Sequence, residues 1–210
     1  MKPTLVLVRH GETEGQSSIR YHGRTDVALS DLGRAQMRAA RDAIAKRHSS
    51  LSFDHVFASP LVRATEGARI IAGDPARLSI LDDFAEVHFG LFEGLTAGEI
   101  RERYPDDYAR WDADRLAAGY TYPGGESRAA FADRVGRGVD QMIALWAPDA
   151  GAVSHALLVA HRGVIRTIVT RLTGHQPVVD LGSIQIIEFD GAWRVALLDH
   201  IEHLKDLYGM

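Results

Sequence analysis

The sequence predicts an α/β fold: a three-layer sandwich with a mostly parallel central sheet, helices on both faces, and a small cap inserted at residues ~84–125. Three observations predict it. Short apolar runs alternate with stretches of helical period, the pattern of strand–helix units that builds a parallel sheet. The first of these runs is continuously apolar, as strands covered on both faces are. The alternation breaks once, over residues 84–125, where short elements and loops rich in aromatics take its place.

Residues 3–9, PTLVLVR, read as the first buried strand. LSDLGRAQMRAARDAIAKRH, residues 29–48, reads as a helix with Ser30 as N-cap and with Leu32, Ala35, Ala39, Ala40, Ala43 and Ile44 on its apolar positions. DHVFAS, 54–59, is a second strand. PLVRATEGARIIAG, 60–73, follows as a helix opening on Pro60, where a missing N–H costs least. RLSIL, 77–81, reads as a third short strand. Beyond the cap, 127–147 read as a helix, ALLVAH (156–161) as a strand, and GVIRTIVTRLT (163–173) as a helix closed by Gly174. SIQIIEF and WRVALL finish the sheet, joined by a turn at Asp190-Gly191. No repeat, low-complexity tract or linker separates these units, so 1–210 is expected to be a single domain carrying the cap as an insertion.

Composition narrows the classes. A chain of 210 residues, 46% apolar and 25% charged, has the make-up of a globular protein with a sizeable core. A net charge of −4 offers no cationic footprint for nucleic acid or an anionic membrane. Cysteine is absent, which excludes disulfides, thiolate metal sites and a Cys nucleophile, and suits a reducing compartment. The apolar stretch after Lys2 stops at Arg9, too short for a signal-peptide core, and no run reaches the roughly eighteen apolar residues that span a bilayer. A cytoplasmic protein with no nucleic-acid or membrane partner is expected; composition leaves open whether it forms a homodimer.

Two strand ends match. LVLVRHG (5–11) and LLVAHRG (157–163) each run a buried strand into a histidine with glycine close behind. Ligands of open α/β sheets bind at the carboxyl ends of strands, so adjacent strands would bring His10 and His161 within a few ångströms there. HVFASP ends at the same edge and feeds a helix with Arg63 in its first turn. The helix dipole repels a cation at that end unless an anion lies between them, as at phosphate sites. Taken singly, a histidine after a strand is commonly a hydrogen-bonded structural residue, and a first-turn arginine a surface ion pair. Arg9, His10, Arg63 and His161 taken together point to an anion site.

With these residues the chain resembles the histidine phosphatase superfamily, the phosphoglycerate-mutase-like fold, in its phosphatase branch. The matching text is VRHGETE (8–14), GRTDVALSDLGRAQ (23–36), ASPLVRATEGA (58–68), EVHFGLFEGL (86–95), YPGGES (122–127) and VAHRGVIR (159–166), in the family's order over most of the chain. The resemblance implies that His10 is the phosphorylated nucleophile, that Arg9, Arg63 and His161 form the phosphate pocket, and that Glu86 is the proton donor. Gln16, Gly23 and Arg162 complete the candidate substrate- and phosphate-binding set. Two of these depart from the family pattern. Gln16 stands where many relatives carry asparagine, one methylene shorter, and Arg162 replaces a glycine common after the second histidine.

The chemistry suits these residue types. A neutral imidazole is a competent nucleophile, and its adduct divides one hard step into two easier ones. Arginine grips phosphate bidentately, as lysine cannot. Removing one such donor typically costs roughly 10²–10³ in turnover. The leaving alkoxide needs a proton from a carboxyl, which can later receive one from the attacking water. Glu12 and Glu93 are rival acids; the first suits orienting a neighbour or capping a turn, the second a loop, and the family pattern favours Glu86. No metal and no cofactor are expected.

The cap holds eight of the chain's sixteen aromatics, with eight acids against four arginines. They read either as the cap's own core or as an apolar, mildly acidic lining for an uncharged or aromatic leaving group. A phosphoglycerate mutase must hold a second phosphate and a carboxylate, whereas RERYPDDYARWDADR (101–115) interleaves its arginines with acids. Hydrolysis of a small phosphorylated metabolite is therefore expected. The alternatives are mutase-type phosphoryl transfer and a non-catalytic phospho-ligand binding protein. Other chemistries lack their motifs: there is no HExxH, no Gly-Lys pair and no G-x-S-x-G, and His200 and His203 read as helix-surface histidines.

Overall fold

Successive residues of the first strand, β1 (Thr4–Arg9), point to opposite faces, and both faces are buried. Leu5 and Leu7 enter one apolar layer, Val6 and Val8 the other. The computed structural model describes residues 2–47, 52–73, 78–146 and 154–209. Its six-stranded sheet adds β2 (His55–Ala58), β3 (Leu78–Ile80), β4 (His155–Ala160), β5 (Ile184–Phe189) and β6 (Trp193–His200), in the order β3-β2-β4-β1-β5-β6. The first four strands in that order run parallel. The β5–β6 hairpin joins antiparallel to β1, turning at Asp190 and Gly191 as the sequence predicts.

The helices cover both faces. α1 (Asp31–Arg47) and α2 (Val62–Ala72) bury Met37, Ala40, Ile44, Ala64, Ala68 and Ile71 against Val6, Val8, Val56 and Val159. On the other face α5 (Arg128–Trp146) and α6 (Arg162–Thr173) bury Val135, Val139, Met142, Val164 and Ile168 against Leu5, Leu7, Phe57 and Leu158. Between them in sequence lie α3 (Ala97–Arg103), opened by a capping box of Thr96 and Glu99, and α4 (Pro105–Asp114). Among the described residues no helix is long and apolar enough to cross a membrane.

Helix boundaries differ from the sequence reading in informative places. Ser30 caps α1 as expected, accepting the Gly33 N–H at 3.1 Å. Pro60 does not open α2. Leu61 is extended (φ −73, ψ 137) and serves as N-cap, and the Asp26 carboxylate accepts the Val62 N–H at 2.8 Å. α6 starts at Arg162, with His161 itself the N-cap, and Gly174 ends it in the left-handed region. Three expected end residues, His48, Arg77 and Ala147, lie outside the described residues.

All eight aromatics between 84 and 125 pack into or against the layer under α5 and α6. Phe89, Phe92, Trp111, Tyr120 and Tyr122 meet edge to face, and Tyr21 joins them from the other end of the chain. The cap is thus bolted to the main core rather than built around one of its own.

Candidate active site

Parallel pairing of β1 with β4, with Arg9 opposite Ala160, carries the next residue of each strand to one point. The rings of His10 and His161 lie 5.1 Å apart, edge to face, and both are buried. The turn after His10 tolerates no side chain, since a Cβ on Gly11 would lie 2.5 Å from the Gly33 carbonyl oxygen. His10 Nδ1 donates to the Gly11 carbonyl at 2.7 Å. That bond keeps the proton on Nδ1 and leaves the lone pair on Nε2, where the Arg63 Nε–H reaches it at 3.3 Å.

Arg63 is fully buried at the start of α2. Its remaining donors go to the carbonyls of Thr25 (2.8 Å), His22 (3.0 Å) and Gly23 (2.9 Å). Burial lowers its pKa, while Glu86, Asp26 and Glu93 oppose the shift. Burial, and then the field of Arg63, holds His10 and His161 well below the ordinary histidine value, with Arg9 acting in the same direction on both. Both imidazoles are therefore neutral at pH 7.

Arg9 donates through Nη1 to the Val179 carbonyl at 3.0 Å, and its buried Nε has no partner among the described residues. Burial first, then Arg162, pushes its pKa down to about 10. His161 Nε2 lies 2.6 Å from Ser59 Oγ, which also accepts the Leu61 N–H at 3.3 Å. Either group can donate to the other, and where the Ser59 hydroxyl donates to Nε2, the neutral ring carries its proton on Nδ1. That nitrogen too is buried without a partner. Two buried nitrogens left unmatched beside one imidazole lone pair, one a guanidinium N–H and the other able to carry the ring proton, describe a place for an anion.

Glu86 follows a 3₁₀ turn at Asp82–Phe84 and is buried. Its Oε1 accepts the Val87 N–H and its Oε2 the Gly163 N–H, each at 3.0 Å, which fixes it two residues from His161. Its charge acts on both Arg9 and Arg63. The rival carboxylates are engaged elsewhere. Glu12 accepts the N–H groups of Thr13 and Ser18 in its own loop. Glu93 accepts the N–H groups of Gly23, Arg24, Thr25 and Phe89 and the Thr25 hydroxyl, tying the cap to the 22–25 loop. Burial raises its pKa, but these bonds outweigh it and hold the carboxyl below the ordinary range.

Gly23 lies between them, its N–H on Glu93 and its carbonyl on Arg63. Arg162 shares the Val179 carbonyl with Arg9 (3.2 Å) and pairs with Asp180 at 3.1 Å while half-exposed. Gln16 is exposed, its backbone in the left-handed region (φ 61), a conformation asparagine adopts more readily than glutamine.

Ser59, the Arg134–Glu126 pair and Val179 escaped the sequence reading. Ser59 stood in the ASP text, and only its pairing across 102 positions reveals it as the partner of His161. Val179 adopts φ 62, costly for a β-branched residue by roughly 1–3 kcal/mol. The Asp199 carboxylate takes the N–H groups of Val178 and Val179 at 3.0 Å and holds the turn. His203 is half-buried, with Nε2 3.1 Å from the Gly182 carbonyl, rather than on a helix surface.

Residues 5–199 match the family model described as histidine phosphatase superfamily (branch 1). The chain is 35% identical over 210 residues to the bifunctional protein Rv2228c of Mycobacterium tuberculosis, covering 95% of this chain and 54% of that one. It thus spans about half the length of that relative. It is 35% identical over 176 residues to the glucosyl-3-phosphoglycerate phosphatase of Mycolicibacterium vanbaalenii, covering 81% of this chain and 74% of that protein. The crystal structure of the alpha-ribazole phosphatase from Shigella flexneri superposes with a TM-score of 0.79 at 25% identity, covering 94% of this chain and 96% of the other.

Proposed function

The chain belongs to the histidine phosphatase superfamily, and on that premise we propose that it hydrolyses a small phosphomonoester through a phosphohistidine on His10. One observation carries the reading. The Nε2 lone pair of a neutral His10 sits among Arg63 and two buried nitrogens without a partner among the described residues, Arg9 Nε and, with its ring proton there, His161 Nδ1.

A phosphate there receives those donors on its equatorial oxygens, and Arg63 Nε turns from Nε2 to the anion. His10 Nε2 attacks phosphorus as the ester P–O bond breaks, and Glu86 gives its proton to the departing oxygen. Water then attacks phosphorus and yields its proton to Glu86. The N–P bond breaks, and its electron pair returns to Nε2. Charge compensation comes from arginine and imidazole, so the reaction needs no metal. Gln16, Gly23 and Arg162 border the pocket, with Arg162 at its rim. Residues 1–210 act as one domain with 84–125 as its insertion.

Water as the acceptor is supported by the cap's arginines. Arg110 pairs with Asp107 and Arg115 with Asp112 on their own helix, while Arg101 and Arg103 are exposed. None of the four is held in the manner of a second-phosphate clamp. The test is rapid quench of turnover on a labelled aryl phosphate in the presence of a strong chelator. An acid-labile, base-stable phosphoryl adduct should accumulate in the parent enzyme and vanish in His10→Ala. Label persisting in that variant, or turnover abolished by the chelator, overturns the mechanism.

A further inference from the structure

Arg134 lies 48 positions from Glu86 in sequence, yet every N–H of its guanidinium is directed at the segment that carries Glu86 or at the carboxylate beside it. Nη1 donates to the carbonyls of Asp83 and Ala85, both at 2.8 Å, and Nη2 reaches the Glu86 carbonyl at 3.5 Å. Nε and Nη2 also grip the two oxygens of Glu126, at 3.0 and 2.8 Å. Glu126 in turn brackets the other side of Glu86. Its N–H donates to the His88 carbonyl at 2.9 Å, and its carboxylate accepts the His88 N–H at 3.4 Å. The pair is largely shielded from water, with side chains 11% and 15% exposed.

The same helix supplies a second contact one turn earlier. Phe131, at i−3 from Arg134, lies beneath the guanidinium, 5.1 Å from its carbon. A Cβ on Gly163 would meet both Glu86 Oε1 (2.5 Å) and the Phe131 ring (3.1 Å), so these two groups crowd the same spot beside α6. Among the described residues the Glu86 carboxylate has two hydrogen bonds, from Val87 and Gly163. Its placement therefore depends on its backbone, and Arg134 grips that backbone through the carbonyls of Asp83, Ala85 and Glu86.

We infer that Arg134 is the positioning residue for the proton carrier: with Glu126 it locks residues 83–88 so that the Glu86 carboxyl meets the leaving oxygen. This rests on the assignment of Glu86 as general acid and base. Lysine cannot replace Arg134, since one ammonium cannot span three carbonyls and a carboxylate from a fixed plane. The N–H groups of Arg134 are all taken up by Asp83, Ala85, Glu86 and Glu126, so it works by positioning rather than by contact with substrate.

The experiment is a leaving-group series running from nitrophenyl phosphate through phenyl phosphate to an alkyl phosphate, with kcat and KM measured for each. The enzymes are the parent, Arg134→Lys, Glu126→Gln, Glu86→Gln and the double variant Arg134→Lys/Glu86→Gln. A misplaced general acid matters most where the leaving group is poor. Arg134→Lys should lose roughly 10²-fold in kcat on the alkyl ester and several-fold less on the nitrophenyl ester, with KM little changed. The Arg134 effect should disappear in the Glu86→Gln background, because the two act as one unit. Glu126→Gln carries the same graded pattern at smaller size, and decides the matter if Arg134→Lys does not fold. Equal losses across the series for Arg134→Lys and Glu126→Gln, beside a graded loss for Glu86→Gln, overturn the inference alone. Equal losses for Glu86→Gln itself overturn the general-acid assignment as well.

Discussion

Two buried histidines kept neutral make the site sensitive to acid before any substrate is present. His10 and His161 both lie well below the ordinary value of 6.5 because burial and Arg63 disfavour the imidazolium. In the unfolded chain each takes a proton as pH falls through that value, while in the folded chain it does not. The unfolded state then binds more protons, so stability declines as pH drops, by up to about 1.4 kcal/mol per unit for each histidine. His203, lowered to about 4 chiefly by burial, adds to the trend between that value and 6.5. Urea midpoints at pH 7.5 and 5.5 should therefore differ clearly for the parent, and less for His161→Gln. A midpoint indifferent to pH over this range would mean that the imidazoles are not buried as neutral rings.

The loop at 22–25 is where elements far apart in sequence meet. Arg63 on α2 takes its carbonyls from below, and Glu93 on the cap takes its N–H groups from above. Gly23 lies at the closest approach, where a Cβ would fall 1.9 Å from the Val87 carbonyl oxygen and 2.5 Å from Glu93. The first neighbour is backbone, so a methyl group there must displace the loop or the cap. Gly23→Ala should cost about 1–3 kcal/mol of stability, in line with overpacking elsewhere. It should also lower kcat/KM at least tenfold, roughly, since Arg63 loses the carbonyls that orient it toward His10. Chemical denaturation and steady-state rates read the two effects separately. A stable variant with full activity would show that the loop is freer than its contacts imply.

At the scale of the whole molecule, both apolar layers converge on a sheet whose strand ends hold cationic and donor groups. Arg9, Arg63 and Arg162 are drawn together, with Glu86 and Asp180 among the carboxylates that balance them. An anion that binds this edge in the folded state alone must stabilise the entire fold, by about 2.7 kcal/mol at a hundred times its dissociation constant. Inorganic phosphate should raise the melting midpoint progressively with concentration, and chloride at equal ionic strength should not. The rise should shrink in Arg9→Gln, which loses the unmatched Nε donor. Equal shifts from the two salts would reduce the effect to general ionic screening.

The sequence by itself determined the fold class, the order of its elements and the identity of His10, His161, Arg9 and Arg63 as candidates, through local signals: apolar runs ending in a charged or imidazole residue, a capped helix, and a glycine where the chain turns. Glu86 was singled out from Glu12 and Glu93 only by the resemblance to the family. Gln16 and Arg162 were legible as departures, but nothing local said that one would be exposed and the other tied to Asp180. Ser59, Arg134, Glu126, Val179 and Asp199 act through partners from 8 to 170 positions away. Their roles arise only when β1, β2 and β4 align their carboxyl ends and α5 closes on the 83–88 segment. A hydrogen bond between distant backbone and side chain leaves no periodicity in the chain, so the tertiary structure alone decided where His10 carries its proton and which residues hold the Glu86 segment.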